Sequence, residues 1–166
     1  MACAASISLV AGCAAGEPPG KPSPPEVGLE EVHFRAWRGA ALAASGTADR
    51  AVYRRISGEV EASGVRVTVP RPGLPDLVVS APALTGDLGA RTWAGGGGVV
   101  LTRGDAIART PTARWAEADG LVRGDEPVEV TGPAYRLAGP AFTADPRSGD
   151  VEIRGGVRLV AGGVPP

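Results

Sequence analysis

Side chains able to act as nucleophiles, shuttle protons or hold a metal are few in this chain, and their spacing favours none of those chemistries. The single histidine, His33, stands between Val32 and Phe34. A lone histidine in a strand is expected to face solvent or serve structure, and no Ser-His-Asp set can be assembled around it. Cys3 and Cys13 lie close together near the start of the chain; two neighbouring thiols make neither a disulfide framework nor a four-ligand zinc site. Carboxylates at Asp119, Asp125, Glu126, Asp145 and Asp150 could form an acid pair or a calcium site, yet each adjoins a glycine or a proline. Short acidic side chains in such places accept hydrogen bonds from turn backbone, so turns are their expected use. Arg103-Gly104-Asp105 and Arg123-Gly124-Asp125 each spell an adhesion tripeptide, a triplet that a hairpin bend explains equally well. The glycine run 95–98 lacks the lysine and the following helix of a phosphate loop. The expectation is a protein that is not an enzyme and uses no cofactor and no metal.

The elements that carry these residues follow from composition and its placement. With 166 residues the chain suffices for one domain and a tail. Its 25 glycines and 16 prolines would suggest low complexity if they were spread evenly. Most prolines instead crowd before residue 29 or between Pro70 and Pro82, and the rest of the chain carries Val, Leu, Ile and Thr in short runs parted by glycine-rich turns. That is an all-β pattern. A net charge of −1 offers no field to hold nucleic acid, and no nucleic-acid partner is expected. Aromatic residues are only 4% of the chain, so any apolar interior must be lined by small aliphatic side chains, a lining that suits flexible alkyl chains.

At the amino terminus a short apolar run over 7–11 leads into Val10-Ala11-Gly12-Cys13, which resembles the lipobox of bacterial lipoproteins. The resemblance implies that residues 1–12 are a signal peptide and that Cys13, diacylated on sulfur, becomes the new terminus and anchors the chain to a membrane. The run is too short to span a bilayer. The segment before it, Met1 to Ala5, lacks the basic residues of a signal peptide, and the other reading is of Cys13 as an ordinary cysteine in a disordered leader, free or paired with Cys3. Residues 13–28, with "GEPPGKPSPPEV", favour extended polyproline II. They are expected to form a disordered tether with a reach of ~40 Å at about 3 Å per residue.

Beyond the tether the sequence repeats. Gly98 to Leu101, Pro127 to Val130 and Gly156 to Leu159 fall in one register, each 29 positions from the last, and a looser copy ends at Val69. Within each copy three strand-like stretches alternate with turns rich in Asp, Ser and Gly. Val99 and Leu101 share one face, as do Val128 and Val130, and Val157 and Leu159. Units of this length cannot bury an apolar face alone and must stack. An opening strand is expected over Leu29 to Trp37, with Val32, Phe34 and Ala36 on one face, and a wide turn within Gly89 to Gly98.

With the leader, the repeats and the phrase "TPTARWAEADGLVRGDEPVEVTGPAYRLAGPAFTAD" in view, the chain resembles the LptC family of lipopolysaccharide export proteins. "GDEPVEV" at Gly124 to Val130, "LAGPAFTAD" at Leu137 to Asp145 and "IRGGVRL" at Ile153 to Leu159 carry the likeness, which covers residues 29–160 and leaves 161–166 as a tail. The related soluble bridge protein LptA shares the repeat. The resemblance implies a twisted open β-jellyroll of antiparallel strand repeats whose interior holds acyl chains. It also implies a periplasmic place and a role in transfer: lipopolysaccharide is received from an LptB2FG-like ABC transporter of the inner membrane and passed to an LptA-like bridge protein through edge-strand pairing. Family members usually carry a transmembrane helix. A lipidated Cys13 and tether would replace it here, with the inner membrane favoured by function and the outer membrane open.

On this reading Val99, Leu101, Trp115, Val128, Val130, Leu137, Phe142, Val157 and Leu159 line the lipid-binding lumen. The same residues could instead fill a closed sandwich, which would make the chain a structural or adhesive surface lipoprotein. A carbohydrate-active β-repeat enzyme would need a carboxylate cluster on one face.

Overall fold

The computed structural model describes residues 25–161; the expected signal peptide over 1–12, Cys13, the part of the expected tether before residue 25 and the expected tail beyond residue 161 lie outside the described residues. Fourteen strands follow one another: β1 (Glu26–Arg38), β2 (Ala41–Arg54), β3 (Glu59–Val69), β4 (Leu77–Asp87), β5 (Thr92–Gly96), β6 (Val99–Arg103), β7 (Ala106–Thr110), β8 (Ala113–Ala116), β9 (Val122–Gly124), β10 (Val128–Gly132), β11 (Tyr135–Gly139), β12 (Ala141–Ala144), β13 (Val151–Arg154) and β14 (Arg158–Ala161). All pairings are antiparallel, and the strands form one sheet folded on itself as an open β-jellyroll. The opening strand starts at Glu26 rather than Leu29, because Glu26, Val27 and Gly28 still pair with Arg54, Tyr53 and Val52 of β2.

The fold in the sheet is written into its side-chain alternation. Strands β1 to β4 run unbroken through a corner where two successive residues on each strand face outward: Glu30-Glu31, Asp49-Arg50, Ser63-Gly64 and Pro82-Ala83, all exposed. On either side the inward positions resume, as in the buried Ala48 and Ala51 of β2. The alternation thus changes phase at the corner, and Glu31 and Gly64 adopt positive φ there. The later strands are interrupted at the same line, between β5 and β6 by Gly97 and Gly98 at positive φ, between β7 and β8 by Pro111, and between β11 and β12 by Pro140. A proline has no N–H to give a ladder, and glycine accepts the left-handed turn at no steric cost. Both suit a corner.

Two arms result, joined through β1 to β4. One continues from β4 through β5, β8, β9, β12 and β13; the other continues through β6, β7, β10, β11 and β14. Each pass of the chain crosses the corner from one arm to the other. The 29-residue period is one return trip, which puts β6, β10 and β14 in the same arm with one strand between each pair. In the looser copy it is Val67, not Val69, that joins the row of Leu101, since Val67 pairs with Val79 and Val79 with Leu101. The mismatch arises because β3 runs through the corner without the inserted turn of the later strands.

The inner faces meet in a core next to the corner. Ala81, Val99, Leu101, Ala113, Val122, Val128 and Phe142 are buried together, with Leu77, Val79, Ala108, Trp115, Val130, Ala144 and Ile153 packed against them. Each fully buried Val or Phe of this set contributes about 1.5–3 kcal/mol. Ion pairs such as Arg54 with Glu26 and Glu61, and Arg136 with Glu129, are solvent-exposed and add little.

Candidate functional site: an apolar cleft between the arms

Following the register across the second arm gives one continuous row. Phe34 pairs with Gly46, Gly46 with Val67, Val67 with Val79, Val79 with Leu101, Leu101 with Ala108, Ala108 with Val130, Val130 with Leu137, and Leu137 with Leu159. Directly opposed residues of an antiparallel pair share a face, so these nine positions form an apolar stripe that runs the whole width of the sheet. The first arm carries its own stripe: Val27, Tyr53, Val60, Gly86, Trp93, Trp115, Val122, Ala144 and Val151. Exposure along the second arm rises from 8% at Leu101 to 61% at Leu159; the interior is closed at its middle and opens toward β14.

Where the arms part, they enclose a cleft of about 510 Å3. Leu101, Val128, Val130, Leu137, Phe142 and Val157 line it, together with Leu77, Ala108, Val122, Tyr135, Ala144 and Ile153. Val99 lies behind the wall, 1% exposed and packed at the corner. Trp115 belongs to the stripe of the first arm, opposite Trp93; it borders a separate depression together with the charged Arg54, Glu61, Arg114 and Arg123. Leu159 extends the stripe to the exposed edge, opposite Leu137. The registers bring eight of these nine predicted positions onto inner faces, Val157 lies just before β14, and of the nine only the six named first reach the cleft.

Four aromatic rings are handled alike. Phe34, Trp93, Tyr135 and Phe142 each face a glycine as direct cross-strand partner, respectively Gly46, Gly86, Gly132 and Gly124. In each pair the ring occupies the space a Cβ on the glycine would take. The rings therefore lie over the neighbouring strand and leave the interior low in relief.

The polar residues of the site sit at its mouth, where the tips of the two arms come together. Arg71, in the loop between β3 and β4, is 7% exposed; its terminal nitrogen donates to the carbonyls of Arg147 and Ser148 at 3.1 and 2.7 Å. Arg103 of β6 donates to the Gly149 carbonyl at 2.6 Å. These three carbonyls belong to the turn between β12 and β13. That turn is held by its own bonds, Gly149 N–H to the Asp145 carbonyl and Arg147 N–H to the Asp145 carboxylate. Gly149 has a φ of +81° and no space for a side chain, since both guanidiniums press on it.

The expected turn use of the carboxylates is visible at Asp119 as well, whereas Asp125 and Glu126 bond to distant side chains instead. Asp119 accepts the Leu121 N–H and pairs with Arg123, which together hold its carboxyl below the usual range. Asp125 pairs with Arg114, and Glu126 accepts from the Thr112 hydroxyl at 2.6 Å. Of the adhesion-like triplets, the second has both charges engaged, Arg123 and Asp125 in these pairs, and the first has Arg103 held in the mouth. His33 is exposed on β1. Among the described residues no three His, Cys, Asp or Glu side chains gather as a metal site would require, and no helix is long and apolar enough to cross a membrane.

No protein-family model and no curated protein matches the chain. Among solved structures it is similar to LptH of Pseudomonas aeruginosa, described as the LptA-homologous periplasmic component of the conserved lipopolysaccharide transport device. The two are 14% identical with a TM-score of 0.55, and the match covers 70% of this chain and 93% of that one. At that identity the likeness is one of fold.

Proposed function

We propose that this protein is a non-enzymatic lipopolysaccharide-binding and transfer component of the periplasm. The observation that carries the reading is the cleft itself: an uninterrupted apolar stripe, closed at the centre of the sheet, that opens toward a strand with no further partner among the described residues. Each methylene moved from water into such a lining gains about 0.8 kcal/mol, so acyl chains are the natural cargo. A lining of small aliphatic groups holds them without deep pockets that would trap one pose, as transfer requires.

The edges supply the route. Among the described residues β1 pairs only with β2, and β14 only with β11. Val160 of β14 is 52% exposed and Leu29 of β1 is 45% exposed. An unpaired strand with exposed apolar side chains is a template for another chain, and pairing there with an LptA-like bridge would continue the stripe from one domain to the next. In the fuller form of the proposal the chain acts as an LptC-type donor beside an LptB2FG-like transporter, held to a membrane through a lipidated Cys13 and its tether. The likeness of fold to an LptA homologue favours a second reading, in which the domain is itself a unit of the bridge.

Purified protein should copurify with lipopolysaccharide, and depleting it should halt arrival of lipopolysaccharide at the cell surface. Normal surface lipopolysaccharide in a depleted strain would remove the export role. Mass spectrometry of the mature terminus decides the anchor, with diacylated Cys13 as the expected species.

A further inference from the structure

The contacts at the mouth of the cleft are of an unusual kind. Every ion pair among the described residues involves Arg50, Arg54, Arg91, Arg114, Arg123 or Arg136. Arg71 and Arg103 take part in none, although Arg71 is more than nine-tenths buried. A buried guanidinium is costly without a counter-charge, and Arg71 Nε is also buried with no hydrogen-bond partner. Two guanidiniums that meet only neutral carbonyls, one of them with an unused donor, are under-satisfied. Both line the apolar cleft.

We propose that Arg71 and Arg103 form an oxyanion site for a phosphate carried on a glycolipid whose acyl chains lie in the cleft. The phosphate displaces the carbonyls of Arg147, Ser148 and Gly149 and so releases the turn that ties the two arms together. This inference rests on the reading of the cleft as a lipid site. Hydrogen bonds to an ionised oxygen are roughly twice as strong as those to a neutral one, and the fork of arginine matches phosphate in two-pronged fashion. Phosphate therefore outcompetes the carbonyls on the same donors and gives Arg71 Nε its missing acceptor. Asp145 and Asp150 also line the mouth. Their charge repels an incoming anion while the turn is closed, so an anion seated on the arginines drives the turn, and both carboxylates with it, away. Gly149 makes the closed state possible, because any side chain there collides with the guanidiniums.

The test compares binding of the full chain to lipopolysaccharide and to the same material dephosphorylated with alkaline phosphatase. The native protein should prefer the phosphorylated form by about tenfold or more. Combining Arg71→Gln with Arg103→Gln should abolish that preference, so that the phosphorylated and dephosphorylated forms bind with equal affinity. Gly149→Ala, which retains both arginines but opens the clasp, should bind the phosphorylated form more tightly than the native protein does; it also keeps the test decisive if the double variant does not fold. Equal affinity for both lipids in the native protein would overturn the anion site while leaving the cleft as a lipid site. Inorganic phosphate, followed by the Arg71 Nε–H resonance, separates the sources: a response to free phosphate without lipid discrimination would also overturn the proposal. Binding of neither lipid would instead remove the cleft reading, and this one with it.

Discussion

The ring of Phe142 fills the space that a side chain on Gly124 would need, and the two residues are direct partners across β9 and β12. The arrangement recurs at Phe34 over Gly46, Trp93 over Gly86 and Tyr135 over Gly132. An aromatic laid over a cross-strand glycine restores packing that the glycine forfeits. It also lays the rings along the sheet, so that Tyr135 and Phe142 form part of the cleft wall. A chain rich in glycine and poor in aromatics can thus build a wide sheet whose interior stays open to a flexible guest.

Gly124→Ala should therefore destabilise the protein by about 1–3 kcal/mol, the usual effect of forcing extra volume into a packed site. The expected result in urea denaturation is a lower midpoint with an unchanged slope. An unchanged midpoint would show that the ring moves aside freely.

Wall and core should separate by mutation. Leu137→Arg places a charge in the cleft at a half-buried position and should abolish lipid binding with only a small change in stability. Val99→Ala, behind the wall, should cost about 2 kcal/mol of stability and leave lipid affinity nearly unchanged. Both effects are measured on the same protein by denaturation and equilibrium lipid binding.

Why some of this could be read in the sequence and some could not has a physical basis. The 29-residue spacing is visible because every return trip across the corner needs the same four strands, as in β6 to β9, and the same breakers, Gly97-Gly98, Pro111 and Pro140 among them. The phase change at the corner is not: it makes Ala48 and Ala51 both face inward, a spacing that strict alternation assigns to opposite faces. The separate fates of Val99 and Leu101, two residues apart on one face, depend on distance from the corner, which the local pattern does not encode. The pairing of aromatics with glycines depends on register between strands. The Arg71 clasp joins residues 76 and 77 positions apart, and nothing in Pro70-Arg71-Pro72 announces it.

Partner binding should depend on the free edge and not on the cleft. Val160→Pro removes an N–H from β14, which among the described residues has only β11 beside it, and should weaken capture of an LptA-like partner while the isolated protein still binds lipid. Loss of both together would mean that the edge shapes the cleft.

Acid should act through the outer face. Hydrogen bonds from Leu121 and Arg123 lower the Asp119 carboxyl, and Arg54 lowers that of Glu61. A carboxyl depressed in the folded state stabilises above its unfolded value of about 4 and loses that contribution as pH falls through the folded value. Stability should be flat from pH 8 to 5 and decline below about 4. Asp119→Asn should reduce the steepness of that decline in thermal melts, modestly, because the group is exposed.

A lipid-bearing interior requires most directly that acyl chains touch Leu137. A photo-reactive benzoylphenylalanine placed there in living cells should capture lipopolysaccharide, and the same group at Arg136, the neighbouring exposed position on the opposite face of β11, should not. Absence of capture from Leu137, or equal capture from both positions, would contradict a lipid-bearing interior.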